Sequence, residues 1–381
     1  MGRKASRASP ILLIVAVLAA PASVPAGDRV LLVSFDGLRA DAVEPDLMPF
    51  LSGLRRSAVH TLRAQSLKPT YTIPNHVSML TGLLPETHGC TMLADPGEKI
   101  VDGTIFEIAH DAGLSTALYI SKNKLRLLAK PGTLDRYVVT NTGYCDDVVA
   151  AFLGDLASPD GRYDLTVVHL QDLDTLGHSY GWMSEKYLQG ATRIDGFLQD
   201  IFRALESAGL LGGTAIFLVA DHGGVNYEHG EDVPEVRDVP WMVLGPRTPR
   251  GKRILTPVRI HDTAPTILQV LGLPVPSRME GRTVPEVFAE NWPTLRRADV
   301  DADGSTNATD AIGILELLFR GLPAPCAAAA DADGDLSVNL TDAVYLLHNL
   351  FRGGPEPPPP FLECGLPEAI LPGFPCPAAC R

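Results

Sequence analysis

Four short runs, residues 30–35, 165–170, 215–220 and 241–244, are apolar at nearly every position. A strand can be apolar on both sides only when both of its faces are covered, so these runs predict central strands of a sheet sandwiched between helices. Helical patterns at 49–57, 74–81, 184–207 and 263–271 supply the covering layers. The fold class is α/β, with three layers and a mostly parallel sheet spanning residues 27–293. With 45% of its 381 residues hydrophobic, the chain can fill one large core and still carry a small second module.

Chemistry sits where the runs end. Asp36-Gly37 follows the first, Asp172 and Asp174 the second, and Asp221-His222-Gly223 the third. Ligands of open parallel sheets bind beyond the carboxyl ends of the strands, so these clusters are expected to converge on one sheet edge. Asp174 and His178 stand at i and i+4, a spacing that lets one helical turn or tight loop aim both at a single ion. His229, in a polar stretch before the next strand, is placed to complete a set. Thr72 opens the segment Thr72-Ile73-Pro74-Asn75-His76, with Pro74 suited to a helix's first turn, where free N–H groups attract an anion. A divalent ion can activate its otherwise weak hydroxyl nucleophile. Taken singly, each signal has an ordinary reading: Asp-Gly as a turn, Thr72 as a helix cap, His178 and His229 as solvated imidazoles. Together they supply different parts of one device.

In Val33-Ser34-Phe35-Asp36-Gly37, Thr72 to His76, Thr81-Gly82, Asp174 through His178, Asp221-His222-Gly223 and His229-Gly230, the chain resembles the alkaline phosphatase superfamily, and within it the nucleotide pyrophosphatase/phosphodiesterase group. The resemblance implies an alkaline phosphatase-like sandwich and two zinc ions, one held by Asp174, His178 and His229, the other by Asp36, Thr72, Asp221 and His222. It implies that Thr72 attacks phosphorus to form a phosphothreonine, and that Asn75 donates to a nonbridging phosphate oxygen. Two ions about 4 Å apart suit such an in-line displacement. The sulfatase pattern C/S-x-P-x-R is absent at Thr72, and no arginine matches the phosphate clamp of the monoesterases, which favours a small phosphodiester or nucleotide substrate. Lys68 is a further candidate for a phosphate contact, while His88 and His169 read as hydrogen-bonded structural residues. Two alternatives stay open: a phosphomonoesterase or phosphonate hydrolase with the same metal site, and a catalytically inactive calcium-dependent scaffold or adhesion protein.

The segment 299–321 recurs as 331–353, marking a paired module over 297–354. In the first copy Asp299, Asp301, Asp303, Asn307 and Asp310 fall at positions 1, 3, 5, 9 and 12 of a calcium loop, with Gly304 at the turn and Ser305 placed to offer its carbonyl. Asp331, Asp333, Asp335, Ser337, Asn339 and Asp342 repeat the pattern, but Leu336 replaces the turn glycine, a strain of about 1 kcal/mol or more. Each copy runs into an amphipathic helix ending Leu-Phe-Arg-Gly. The pair resembles the all-α dockerin type I module of secreted bacterial enzymes, implying up to two calcium ions and a cohesin-like or cell-surface partner.

Residues 1–26 read as a signal peptide, with Arg3, Lys4 and Arg7 before an apolar stretch too short to span a bilayer, so no transmembrane anchor is expected after cleavage. The protein is then secreted, periplasmic or at the cell surface. Cys326, Cys364, Cys376 and Cys380 cluster in and around a Pro/Cys-rich tail, 355–381, and are expected to pair among themselves, leaving Cys90 with Cys145 as a remaining pair. A formal charge of -13, more acidic once the leader is lost, argues against a general nucleic-acid-binding surface.

Overall fold

The computed structural model describes residues 28–91, 101–140, 142–377 and Cys380. The leader expected at 1–26 lies outside these residues. Eight strands form one sheet: β1 Arg29–Phe35, β2 Val59–Gln65, β3 Thr116–Ile120, β4 Arg136–Val139, β5 Leu165–Leu170, β6 Thr214–Ala220, β7 Asp238–Leu244 and β8 Lys252–Arg253. Their order is β4-β3-β5-β1-β6-β7-β2-β8. Only β7 opposes its neighbours; the other ladders are parallel. β1 is central, paired on one side with β5 and on the other with β6, with Phe35 beside both Leu170 and Ala220. Their side chains are buried on both faces, which explains the unbroken apolar runs.

Helices cover the sheet and deliver the residues that follow each strand. The long Glu185–Ser207 helix, capped by Ser184, buries Tyr187, Ile194, Leu198 and Phe202 along one stripe. The Thr72–Thr81 helix is buried throughout and ends on Gly82 in the left-handed conformation. It starts two residues before Pro74.

A second, smaller core gathers Leu295, Val300, Ala311, Ile314, Ala329 and Leu346. It is built around the helices Ala308–Arg320 and Leu340–Arg352, which begin at Asn307 and Asn339 with reciprocal capping boxes and end at left-handed Gly321 and Gly353. The tail ties this unit down through Cys326–Cys376 and Cys364–Cys380. It also reaches the sheet, where the Arg253 N–H donates to the Glu368 carbonyl at 2.9 Å and Lys252 Nζ to that of Leu366 at 2.9 Å. Cys90 and Cys145 are both buried and unbridged, correcting the third pairing. The Cys145 sulfur instead accepts the Gln171 N–H at 3.0 Å. Among the described residues no helix is long and apolar enough to cross a membrane.

Candidate metal and phosphate site

The carboxyl ends of β1, β5 and β6 bring the scattered residues together. The Asp36 N–H pairs with the Leu170 carbonyl and its carbonyl accepts from the Asp174 N–H at 3.0 Å, locking the turn after β1 onto the Asp172–Tyr180 helix after β5. The Gly37 N–H donates to Asp221 Oδ1 at 3.1 Å, and the Gly37 carbonyl accepts from Trp182 Nε1 and the Tyr187 hydroxyl.

Among the described residues, Asp174, His178 and His229 form one group with ligand atoms within 4.8 Å of one another, and Asp36, Asp221 and His222 form another. The Thr72 hydroxyl and His222 Nε2 lie 3.4 and 3.5 Å from the same oxygen, Asp36 Oδ1. All three imidazoles are turned alike. Nδ1 donates to a backbone carbonyl, of Tyr227 for His178, Gly223 for His222 and Thr70 for His229, at 2.8, 2.8 and 2.6 Å. That leaves the Nε2 lone pairs facing the carboxylates, as a metal-ligating histidine requires. Asp174 Oδ1, Asp221 Oδ2 and His222 Nε2 are buried and take no hydrogen bond. Orphaned buried acceptors of this kind are costly and fit a cation between them.

The protonation of the site follows from burial. Burial, then the neighbouring His229, holds His222 well below the usual histidine range, and burial lowers His229 too, so both present neutral rings. Burial, then the charge of Asp36, drives the Asp221 carboxyl well up. Burial alone would raise Asp36 as well, but Lys122 and a hydrogen bond from His169 outweigh it and hold that carboxyl well below its ordinary value.

Lys122 is a candidate functional residue that sequence reasoning missed. Its ammonium lies 2.6 Å from Asp36 Oδ2, 2.5 Å from Asp174 Oδ2 and 3.4 Å from the Thr72 hydroxyl, bridging both groups and the candidate nucleophile. It stands just beyond β3, the same positional signal that singled out Asp36 and Asp221, on a strand the sequence reading did not identify. Lys68 instead pairs with Asp232 at 2.5 Å.

Asn75 is not available for the phosphate contact expected of it. Its Oδ1 accepts from the Leu67 N–H at 2.7 Å, and its Nδ2 faces the carbonyls of Leu67, Pro69 and Tyr71 at 3.2, 3.1 and 3.0 Å. The side chain is spent on fastening the loop that leads into Thr72.

In the C-terminal unit, Asp299, Asp301 and Asp303 form one acidic group and Asp331, Asp333 and Asp342 another. The remaining loop residues act on the backbone. Asn307 and Asn339 cap their helices, Asp310 accepts from the N–H groups of Val300 and Asn307, and the N–H groups of Ser305 and Ser337 donate to Asp303 and Asp335. Leu336 adopts φ 70°, the conformation that Gly304 takes at φ 89° in the first loop. Burial pushes the Asp342 carboxyl up to about 6.

A buried helix opening on Thr72, two carboxylate–imidazole groups able to hold cations and a bridging lysine thus meet at the edge of a mostly parallel sheet. Residues 30–243 match the type I phosphodiesterase/nucleotide pyrophosphatase model, and the chain belongs to that family of phosphoric ester hydrolases. It is 28% identical over 226 residues to human ectonucleotide pyrophosphatase/phosphodiesterase family member 1, covering 51% of this chain and 23% of that protein. Venom phosphodiesterase 2 of Crotalus adamanteus is 25% identical over 232 residues, 52% of this chain and 27% of its own length. The chain thus spans about a quarter of these relatives. Murine ectonucleotide pyrophosphatase/phosphodiesterase 5, solved in an inactive form in complex with AMP, superposes with a TM-score of 0.58 at 16% identity. That match covers 65% of this chain and 96% of the other, a likeness of fold.

Proposed function

We propose that the protein is an exported, metal-dependent phosphodiesterase or nucleotide pyrophosphatase with Thr72 as its nucleophile. The observation that carries the reading is the convergence of the Thr72 hydroxyl, three Nε2 lone pairs turned toward carboxylates and three carboxylates on one sheet edge. Two zinc ions, one at Asp174, His178 and His229 and one at Asp36, Asp221 and His222, would supply Lewis-acid stabilisation of the attacking and leaving oxygens. The chain's own residues prepare the rest. Thr72 lies at the start of a helix whose free N–H groups favour an anion, and the Lys122 ammonium favours both the ionised hydroxyl and the phosphate beside it. Thr72 Oγ1 forms the new P–O bond as the bond to the leaving group breaks, and water then cleaves the phosphothreonine and restores the hydroxyl.

A second reading stays open. Lys124 is part-buried, with burial and then the charge of Lys122 lowering its pKa, so it adds a second ammonium near Lys122. A phosphomonoester or phosphonate dianion would use it. Hydrolysis of bis-p-nitrophenyl phosphate against the monoester separates the two. Thr72→Ala should lower turnover of the preferred ester on the order of 1000-fold or more while both zinc ions stay bound. An active Thr72→Ala protein, or a wild type that holds no transition metal, would sink the assignment.

The unit at 297–354 is read as a dockerin-like calcium-binding pair that attaches the hydrolase to a cohesin-like or cell-surface partner. Support comes from the two acidic groups in equivalent loops and the two identically capped helices. The two disulfides suit export to an oxidising compartment.

A further inference from the structure

We infer that His169 is a positioning residue for the Asp36 carboxylate: it decides which Asp36 oxygen faces the nucleophile, and through that the affinity of the Asp36–Asp221–His222 group for its cation. The inference rests on the two-metal reading and adds to it a residue outside both ligand groups.

His169 lies near the end of β5, directly beside Ser34 of β1, and its side chain is 1% exposed. Its Nε2 is 3.0 Å from Asp36 Oδ2, and its Nδ1 is 3.1 Å from the Ser121 hydroxyl. An ionised carboxylate only accepts hydrogen bonds, so Nε2 must carry the proton. A neutral ring has one such proton, which leaves Nδ1 an acceptor; the Ser121 hydroxyl, with one proton to give, lies 3.1 Å from that nitrogen and 3.0 Å from the His169 carbonyl. The Asp36 carboxylate therefore sets the tautomer, and the ring is held with its one donor aimed at Asp36.

The two oxygens of Asp36 are thereby made unequal. Oδ2 receives His169 Nε2 and the Lys122 ammonium, while Oδ1 faces Thr72 and His222. The His169 ring cannot easily swing away, because it packs edge to face on His76 with centroids 4.9 Å apart. His76 is itself pinned, with Nδ1 donating to the Thr72 carbonyl at 2.8 Å and Nε2 accepting from the Ser34 hydroxyl at 2.7 Å.

The test measures zinc retained by the full chain after dialysis against graded free zinc, with near-ultraviolet dichroism reporting the fold. His169→Leu should weaken one of the two ions about 10- to 100-fold and leave the other in place, since loss of an outer partner typically costs that much. His169→Gln, whose amide can still donate, should restore much of the affinity. In a His222→Ala background the leucine change should cost nothing more. Equal loss of both ions, no loss, or no rescue by glutamine overturns the inference. If His169→Leu fails to fold, His169→Phe decides: it keeps a ring packed on His76 but offers no donor, so it should weaken the same ion, and wild-type affinity there also overturns the proposal. A wild type that binds no zinc refutes the metal reading itself, a separate outcome.

Discussion

Gly37 and Asp174 meet backbone to backbone: a Cβ added to Gly37 would lie 2.9 Å from the Asp174 Cα. Gly37 also sits at φ 77°, where a side chain is strained without any neighbour. The close approach puts the turn after β1 and the helix after β5 in register, so the two carboxylate–imidazole groups depend on this glycine for their spacing. Gly37→Ala is expected to destabilise the protein by about 3 kcal/mol and to reduce retained zinc, read by urea denaturation and metal analysis. A variant with wild-type zinc content and stability would show that the contact is not needed.

Lys122 neutralises Asp36 and Asp174 from a position with 12% side-chain exposure. Removing one partner of a buried ion pair leaves the other charge uncompensated, so Lys122→Met should cost the metal-stripped protein about 3 kcal/mol. Bound zinc would take over that neutralisation and shrink the loss. Melting curves with and without chelator check this, and an equal loss in both states counts against it.

Burial pushes His60 down to about 4 and His76 down to about 3. The unfolded chain, with ordinary histidines near 6.5, then binds more protons than the folded one as pH falls. Stability should be fully present above pH 6.5 and decline toward the folded values, by about 1.4 kcal/mol per pH unit for each such ring. Denaturation midpoints at pH 7.5 and 5 measure the slope. His60→Gln should flatten it, and an unchanged slope would exclude His60 as a source.

Left-handed Leu336 is expected to make the second loop the weaker calcium site if the loops bind calcium as proposed. Leu336→Gly should relieve about 1 kcal/mol of strain and tighten calcium at that loop, with the first loop unchanged. Calorimetric calcium titration of the full chain distinguishes the two loops. Tighter binding at neither loop would remove the strain argument.

The central strands were legible because β1, β5 and β6 are covered on both faces, and the residues that follow them inherited their visibility. β2 was not: His60, Thr61 and Arg63 interrupt its apolar pattern, and its pairing with β7 shifts register between Thr61 and Ala64. β3 and β4 are short, and missing β3 hid Lys122 behind it. Asn75 shows a different limit. The resemblance supplied a role for its amide, whereas the loop from Leu67 to Tyr71 had already taken every polar atom. Clustering along the chain indicated which four cysteines pair, but only the fold could keep Cys90 and Cys145 apart from each other.

The tail's grip on Arg253 bears on how these molecules behave in a crowd. A bare terminal strand is a template on which a foreign polypeptide can add itself, the first step toward runaway self-association. By laying Glu368 and Ala369 along β8, the protein caps that margin with its own chain, and the disulfides Cys326–Cys376 and Cys364–Cys380 keep the cap from peeling off.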